Sequence, residues 1–248
     1  MLITAARKRD EAFRRLEEMA TAAAATGENA GSMPVALSSM KKLQENQQQN
    51  PSGTPSGIPE GTAFVVWDTE TTGLGRSDCI VQLAATCCAP DGTCLALYNQ
   101  LWRIPAGMRI NSRAKAVHGI TEDDLSAHGC DATVELERVV KWFKQATATG
   151  IPVVAFNSGF DERMLVQTAR AHNCSAFDMS AVTFLCLMAA SRPHSKLRTA
   201  SGRSKGFKNS ELFVHFFETE PAVQLHDAAG DIAVTAACYV NAHEKGWI

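Results

Sequence analysis

No apolar run in this sequence reaches membrane-spanning length, and no apolar signal-peptide core precedes a small-residue cleavage site. No cysteine pair stands as Cys-x-x-Cys, and none of the eight cysteines has a histidine at zinc-finger spacing. Most of them sit in apolar runs, where a free thiol acts as a small hydrophobe. Together these absences lead us to expect no membrane partner and an intracellular, reducing setting, with cytoplasm, nucleus and mitochondrion left open. There is no excess of either charge: 24 basic against 26 acidic residues give a net charge of −2. That does not advertise a nucleic-acid binder, but a local basic patch acts where the average is neutral. No internal repeat is visible.

What is present divides into a tail and a domain. Residues 1–26 read as a helix, with Phe13, Leu16 and Met19 or Ala20 at helical spacing among basic residues. Asp10, Glu11, Glu17 and Glu18 argue against a mitochondrial targeting helix, and a partner-binding or loosely ordered helix suits them better. Residues 27–60 are poor in large apolar groups and read as a flexible linker. The folded domain is expected over 61–248. Its strands are placed at Phe64–Trp67, Cys79–Cys88, Thr93–Ile104 and Ile151–Phe156, with a short extended piece at Ala176–Met179. Helices are expected over Ala132–Ala148, whose Val134, Leu136, Val139, Val140 and Phe143 are apolar, and over Asp161–His172, Ala181–Ala190, 208–217 and 227–243. Thr121 and Asp124 resemble a helix-start capping pair. Strands first, then alternating helix and strand, imply an α/β fold with a mixed sheet flanked by helices.

The stretch Phe64-Val65-Val66-Trp67-Asp68-Thr69-Glu70-Thr71-Thr72-Gly73-Leu74 organises the domain. Side chains at i and i+2 of a strand share a face, so Asp68 and Glu70 aim at one point where the strand leaves the core. Two facing carboxylates repel unless a cation lies between them. Hard oxygen ligands suit Mg²⁺ or Mn²⁺. Gly73 is expected to let backbone or ligand approach closely. Asp161 stands at a helix start after the strand ending at Phe156, and Asp227 is a natural N-cap with Asp231 one turn inside the last helix. Ala228, Ala229 and Gly230 leave Asp231 accessible, and His226 precedes the helix at the same mouth.

Taken in order, Asp68-x-Glu70, Asn157-x-x-Phe160-Asp161 and His226-x4-Asp231 resemble the DEDDh 3′–5′ exonucleases of the ribonuclease H-like fold. His118-Gly119-Ile120-Thr121 and the whole of Asp68–Leu74 match patterns common in that family, and the resemblance covers about residues 61–243. It implies a five-stranded mixed sheet, three antiparallel strands followed by parallel ones. The sibling DEDDy group carries a tyrosine where this chain has Asp227, so the histidine form is indicated. One departure is Phe156, where many members have histidine.

By this resemblance Asp68, Glu70, Asp161 and Asp231 hold two divalent ions, Mg²⁺ or Mn²⁺, and His226 is the general base. Thr69, Thr71 and Leu74 line the pocket of the terminal nucleotide, joined by His118, Asn157 and Phe160. The activity implied is release of nucleoside 5′-monophosphates from the 3′ end of DNA or RNA. A catalytically silent nucleic-acid-binding module, or a proofreading-type subunit of a larger assembly tethered through its N-terminal helix, stands as the alternative. Arg192, His194, Lys196, Arg198, Arg203, Lys205 and Lys208 fall in one segment without an acid and read as a mobile, phosphate-tracking loop.

Overall fold

Strand β1 (Phe64–Thr71) is the centre of the protein in its computed structural model, which describes residues 57–221 and 227–248. The expected N-terminal helix, most of the expected linker and His226 lie outside the described residues. Phe64 to Trp67 are fully buried, as a run of β-branched and aromatic residues between two helical layers should be. Strand β2 (Ile80–Cys88) pairs with β1 antiparallel and β3 (Cys94–Leu101) pairs with β2 antiparallel. On the other side β4 (Val153–Ala155) lies parallel to β1, and β5 (Phe184–Cys186) lies parallel to β4. The order β3-β2-β1-β4-β5 is the mixed five-stranded sheet expected.

Helices cover both faces: α1 (Ser112–His118), α2 (Glu122–His128), α3 (Ala132–Ala148), α4 (Ser158–Ala171), α5 (Leu187–Ser191), α6 (Asn209–Phe217) and α7 (Ala228–Glu244). The period of two along β1 sorts its side chains between two cores. Phe64 and Val66 pack with Ile232, Ala236 and Tyr239 of α7. Val65 and Trp67 pack with Leu136 and Phe143 of α3 and Met164 and Leu165 of α4. The small residues Ala229, Ala233 and Ala236 let α7 lie close against the sheet. Ile58 packs against the second core, and the Gly57 carbonyl accepts a hydrogen bond from Trp142 Nε1 at 3.0 Å.

Two expectations are corrected. The stretch Ala181–Ala190 is not one helix: Phe184–Cys186 is the edge strand β5, and only Leu187–Ser191 is helical. A short apolar run does not declare its own period, and here pairing with Val153–Ala155 decides it. Ala176–Met179 is not a strand. The capping pair is present, with Asp124 N–H donating to Thr121 Oγ1 at 3.1 Å and Thr121 N–H to Asp124 Oδ2 at 2.9 Å. Val134, counted with the apolar face of α3, is 50% exposed.

Candidate active site

Three elements deliver carboxylates to the end of β1. Asp68 and Glu70 share the face that carries Phe64 and Val66, the face against which α7 packs. Asp231, in the first turn of α7, meets them there, and one oxygen from each of the three lies within 4.8 Å of the others. Thr69 points the other way, toward α4, and its hydroxyl donates to Asp161 Oδ1 at 2.7 Å. Asp161 is 3% exposed in the first turn of α4. The acids expected from sequence therefore converge as a tight trio plus Asp161, which one β1 threonine anchors.

Such crowding opposes ionisation. Burial holds the Asp68 carboxyl well above its usual range, and Asp161, Asp231, Glu70 and Asp227 add to this. Glu70 is pushed up to about 8 by burial first and then by Asp231, Asp227 and Asp161. Burial also raises Asp161, while the Thr69 hydrogen bond acts against that rise. A divalent cation reverses this penalty, because its charge lowers the proton affinity of any carboxylate that binds it. An all-carboxylate set suits Mg²⁺, Mn²⁺ or Ca²⁺ rather than a thiophilic metal.

Two polar residues escaped the sequence reading, Gln82 and Asn209, and the N-cap expected of Asp227 takes another form. Asp227 stands at the N-cap position of α7, but its side chain makes no capping bond; its Oδ1 instead accepts from Gln82 Nε2 at 3.0 Å. Gln82 lies opposite Glu70 in the β1–β2 register and also donates to Asn99 Oδ1, while its Oε1 accepts the Ala228 N–H at 3.5 Å. The sheet thus caps the helix that carries Asp231. Gln82 is the one amide in a strand that is otherwise apolar but for Thr86, and that lone amide was the available signal. Asn209 Nδ2, from the start of α6, donates to the Asp231 carbonyl at 3.3 Å and to Thr235 Oγ1 at 3.0 Å.

The loop after β1 is pinned from within. Asp78 accepts from Thr72 Oγ1 at 2.7 Å and from the Gly75 N–H at 2.6 Å. A Cβ on Gly73 would stand 2.7 Å from Asp78 Oδ2, so glycine is required there by a protein carboxylate rather than by a ligand. Thr71 Oγ1 donates to the Gly73 carbonyl at 2.8 Å. His118 Nδ1 accepts the Ile120 N–H at 3.0 Å, which leaves the ring proton on Nε2, 3.2 Å from the Thr71 carbonyl. This buried histidine therefore braces the loop. Leu74 is 80% exposed at the loop's tip. Asn157 is exposed at the N-cap of α4, and Phe160 is half-buried with the Arg163 guanidinium 5.1 Å above its ring.

The basic segment is more ordered than expected. A 3₁₀ turn at Arg192–His194 leads into a hairpin closed by the Arg198–Ser204 bridge and by Lys205 N–H to Leu197 O at 3.0 Å. Lys205 is paired with Glu211, so its charge is neutralised. Arg198 and Arg203 are exposed.

A mixed sheet with this order, flanked by helices, matches the fold of solved exonucleases. No protein-family model matches the sequence, and no curated protein matches it. Solved structures share its fold. The nuclease domain of 3′hExo, a DEDDh family member bound to rAMP, superposes with a TM-score of 0.59 at 12% identity, covering 77% of this chain and 96% of that one. Exonuclease X in complex with 5′ overhanging duplex DNA gives 0.52 at 23% identity over 75% of this chain and 94% of that one. E. coli Exonuclease I with a dA16 oligonucleotide gives 0.57 at 18% identity over 73% of this chain, which spans only 40% of that enzyme.

Proposed function

We propose that this protein is a metal-dependent 3′–5′ exonuclease that removes nucleoside 5′-monophosphates from the 3′ end of DNA or RNA. The observation that carries the reading is the meeting of Asp68, Glu70 and Asp231 within 4.8 Å, beside buried Asp161. Two divalent ions, Mg²⁺ or Mn²⁺, held by these four carboxylates, would supply activation of water and stabilisation of the charge that grows on the leaving oxygen. The chain's own groups do the rest. His226, joined to Asp227, accepts the proton of the attacking water in its neutral form. The bond broken is that between phosphorus and the 3′ oxygen of the preceding nucleotide. Leu74 offers an exposed apolar surface to the terminal base, and by the same resemblance Thr69, Thr71, Asn157 and Phe160 belong to that pocket. His118 braces the loop after β1 through the Thr71 carbonyl. All eight cysteines are free thiols, which supports placing the protein in a reducing compartment.

The test uses matched DNA and RNA oligonucleotides labelled at the 5′ end, incubated with Mg²⁺ or Mn²⁺. Shortening from the 3′ end one nucleotide at a time is expected, and the better substrate decides between DNA and RNA. Asp68→Ala should abolish cleavage while circular dichroism and thermal midpoint persist. Undiminished turnover in excess EDTA would overturn the metal mechanism. Binding without cleavage under every metal tried would overturn the enzyme.

A further inference from the structure

The aromatic and cationic groups at the far end of α7 are not used by the chemistry above. The His194 ring lies flat on Trp247, with centroids 4.0 Å apart and planes 2° from parallel. Trp247 is also 5.1 Å from Phe216 and 5.7 Å from His215, and His215 is 5.1 Å from Phe207. A row of rings therefore runs from the hairpin across the end of α6 to the C-terminal segment. His194, Lys196, His215 and Lys245 are exposed along it, and Trp247 is partly so. Besides burial, the groups that lower the proton affinity of His215 are Lys245, Lys196 and His194, all basic side chains. The exposed acids Glu218 and Glu244 lie at the ends of α6 and α7.

The row is aligned with the carboxylate site. Helix α6 starts beside Asp231, through Asn209, and ends at Trp247, through His215 and Phe216. Trp247 N–H is bonded to the Ala242 carbonyl. From Asp231 to Ala242 the helix rises about 17 Å at 1.5 Å per residue. A strand whose bases stay stacked as in a duplex, at about 3.4 Å per nucleotide, covers that span in roughly five nucleotides. Stacking rings beside cations are the elements that hold single strands without regard to sequence.

We propose that the His194–Trp247 stack, with Lys196, His215 and Lys245, is a second contact for single-stranded nucleic acid, about five nucleotides from the 3′ end. Its position in the strand rests on the exonuclease reading; its affinity for polynucleotide does not. Rings alternating with positive charge match the bases and phosphates of a single strand on both counts, whereas anionic lipid would use the charges alone.

The test measures fluorescence anisotropy of labelled dT3 and dT12 with the full chain in EDTA. Trp247→Ala should weaken dT12 binding about tenfold and leave dT3 unchanged, while Trp247→Phe, which keeps a stacking ring, should retain dT12. The Lys196→Ala/Lys245→Ala double variant, which leaves the packing intact, should lower the salt slope of dT12 binding by up to about two. Hydrolysis of the p-nitrophenyl ester of thymidine 5′-monophosphate should be the same in wild type, Trp247→Ala and Trp247→Phe. Loss of dT3 and dT12 binding in parallel, or wild-type dT12 affinity and salt slope in the lysine double variant, overturns the proposal. Tighter binding to anionic lipid vesicles than to dT12 would also overturn it. If wild type fails to hydrolyse the ester, the exonuclease reading falls, while the length dependence of binding still decides the second contact.

Discussion

At the residue scale the site is a set of acids made costly to ionise. Glu70 has its folded pKa near 8, against roughly 4.3 in an unfolded chain. The folded state therefore holds its proton more tightly, and the stabilisation is complete below the unfolded value and lost as pH rises through about 8. Asp68 and Asp161 shift in the same direction. We expect the metal-free protein to have a lower thermal midpoint at pH 8.5 than at pH 6, and Mg²⁺ to raise the midpoint more at the higher pH. Calorimetry at both pH values, with and without Mg²⁺, checks this, and a midpoint that climbs with pH in EDTA would refute it. Asp68 and Glu70 were legible because strand alternation is a covalent fact. The Thr69–Asp161 hydrogen bond was not, because it joins residues 92 positions apart. The role of His226 has its own test. His226→Ala should lower the single-turnover rate about 10²–10⁴-fold and remove the low-pH limb of its profile, and an unchanged rate and profile would make the histidine a bystander.

At the element scale, the long periodic pieces were readable and the short ones were not. The expected bounds of α3 match because seventeen residues carry their own period. Yet the pattern of apolar positions said nothing of Glu135, which is 4% exposed and accepts from the Tyr98 hydroxyl at 2.7 Å, while Trp102 Nε1 donates to Tyr98 at 2.8 Å. Tyr98→Phe should cost about 1–3 kcal/mol in urea unfolding, since it strips a partner from two buried polar groups. A loss below about 0.5 kcal/mol would mean that water replaces the hydroxyl. β5 went unread because three residues are too few to show a period, and its partner β4 is equally short. The glycine in the loop between β1 and β2 was read as making room for backbone or a ligand, when the crowding comes from the Asp78 side chain. Gly73→Ala should therefore destabilise more in wild type than in an Asp78→Ala background. A double-mutant cycle with strict additivity would show that the two do not meet.

At the scale of the whole molecule, the net charge of −2 conceals a division of labour. Acids gather at the end of β1, while the hairpin that leads into α6 is basic, a local patch that composition alone hides. Within that hairpin the sequence treats Arg198, Arg203 and Lys205 alike, but the structure separates them. Lys205 is paired with Glu211, which also accepts the Lys208 N–H at 2.8 Å at the start of α6. Arg198 and Arg203 face solvent with no carboxylate paired to them among the described ion pairs. A cation releases counterions only when it reaches a phosphate, and one held by a carboxylate must first leave it. Arg198→Ala/Arg203→Ala should therefore reduce the salt slope of oligonucleotide binding by up to about two and leave stability unchanged within about 0.5 kcal/mol. Lys205→Ala should do the reverse, leaving the slope alone and loosening the entry to α6. Titration across a salt series, with urea unfolding of the same variants, separates the two. If Lys205→Ala lowers the slope as much as the arginine pair does, the lysine exchanges Glu211 for phosphate on binding, and the ion pair is a latch rather than a brace.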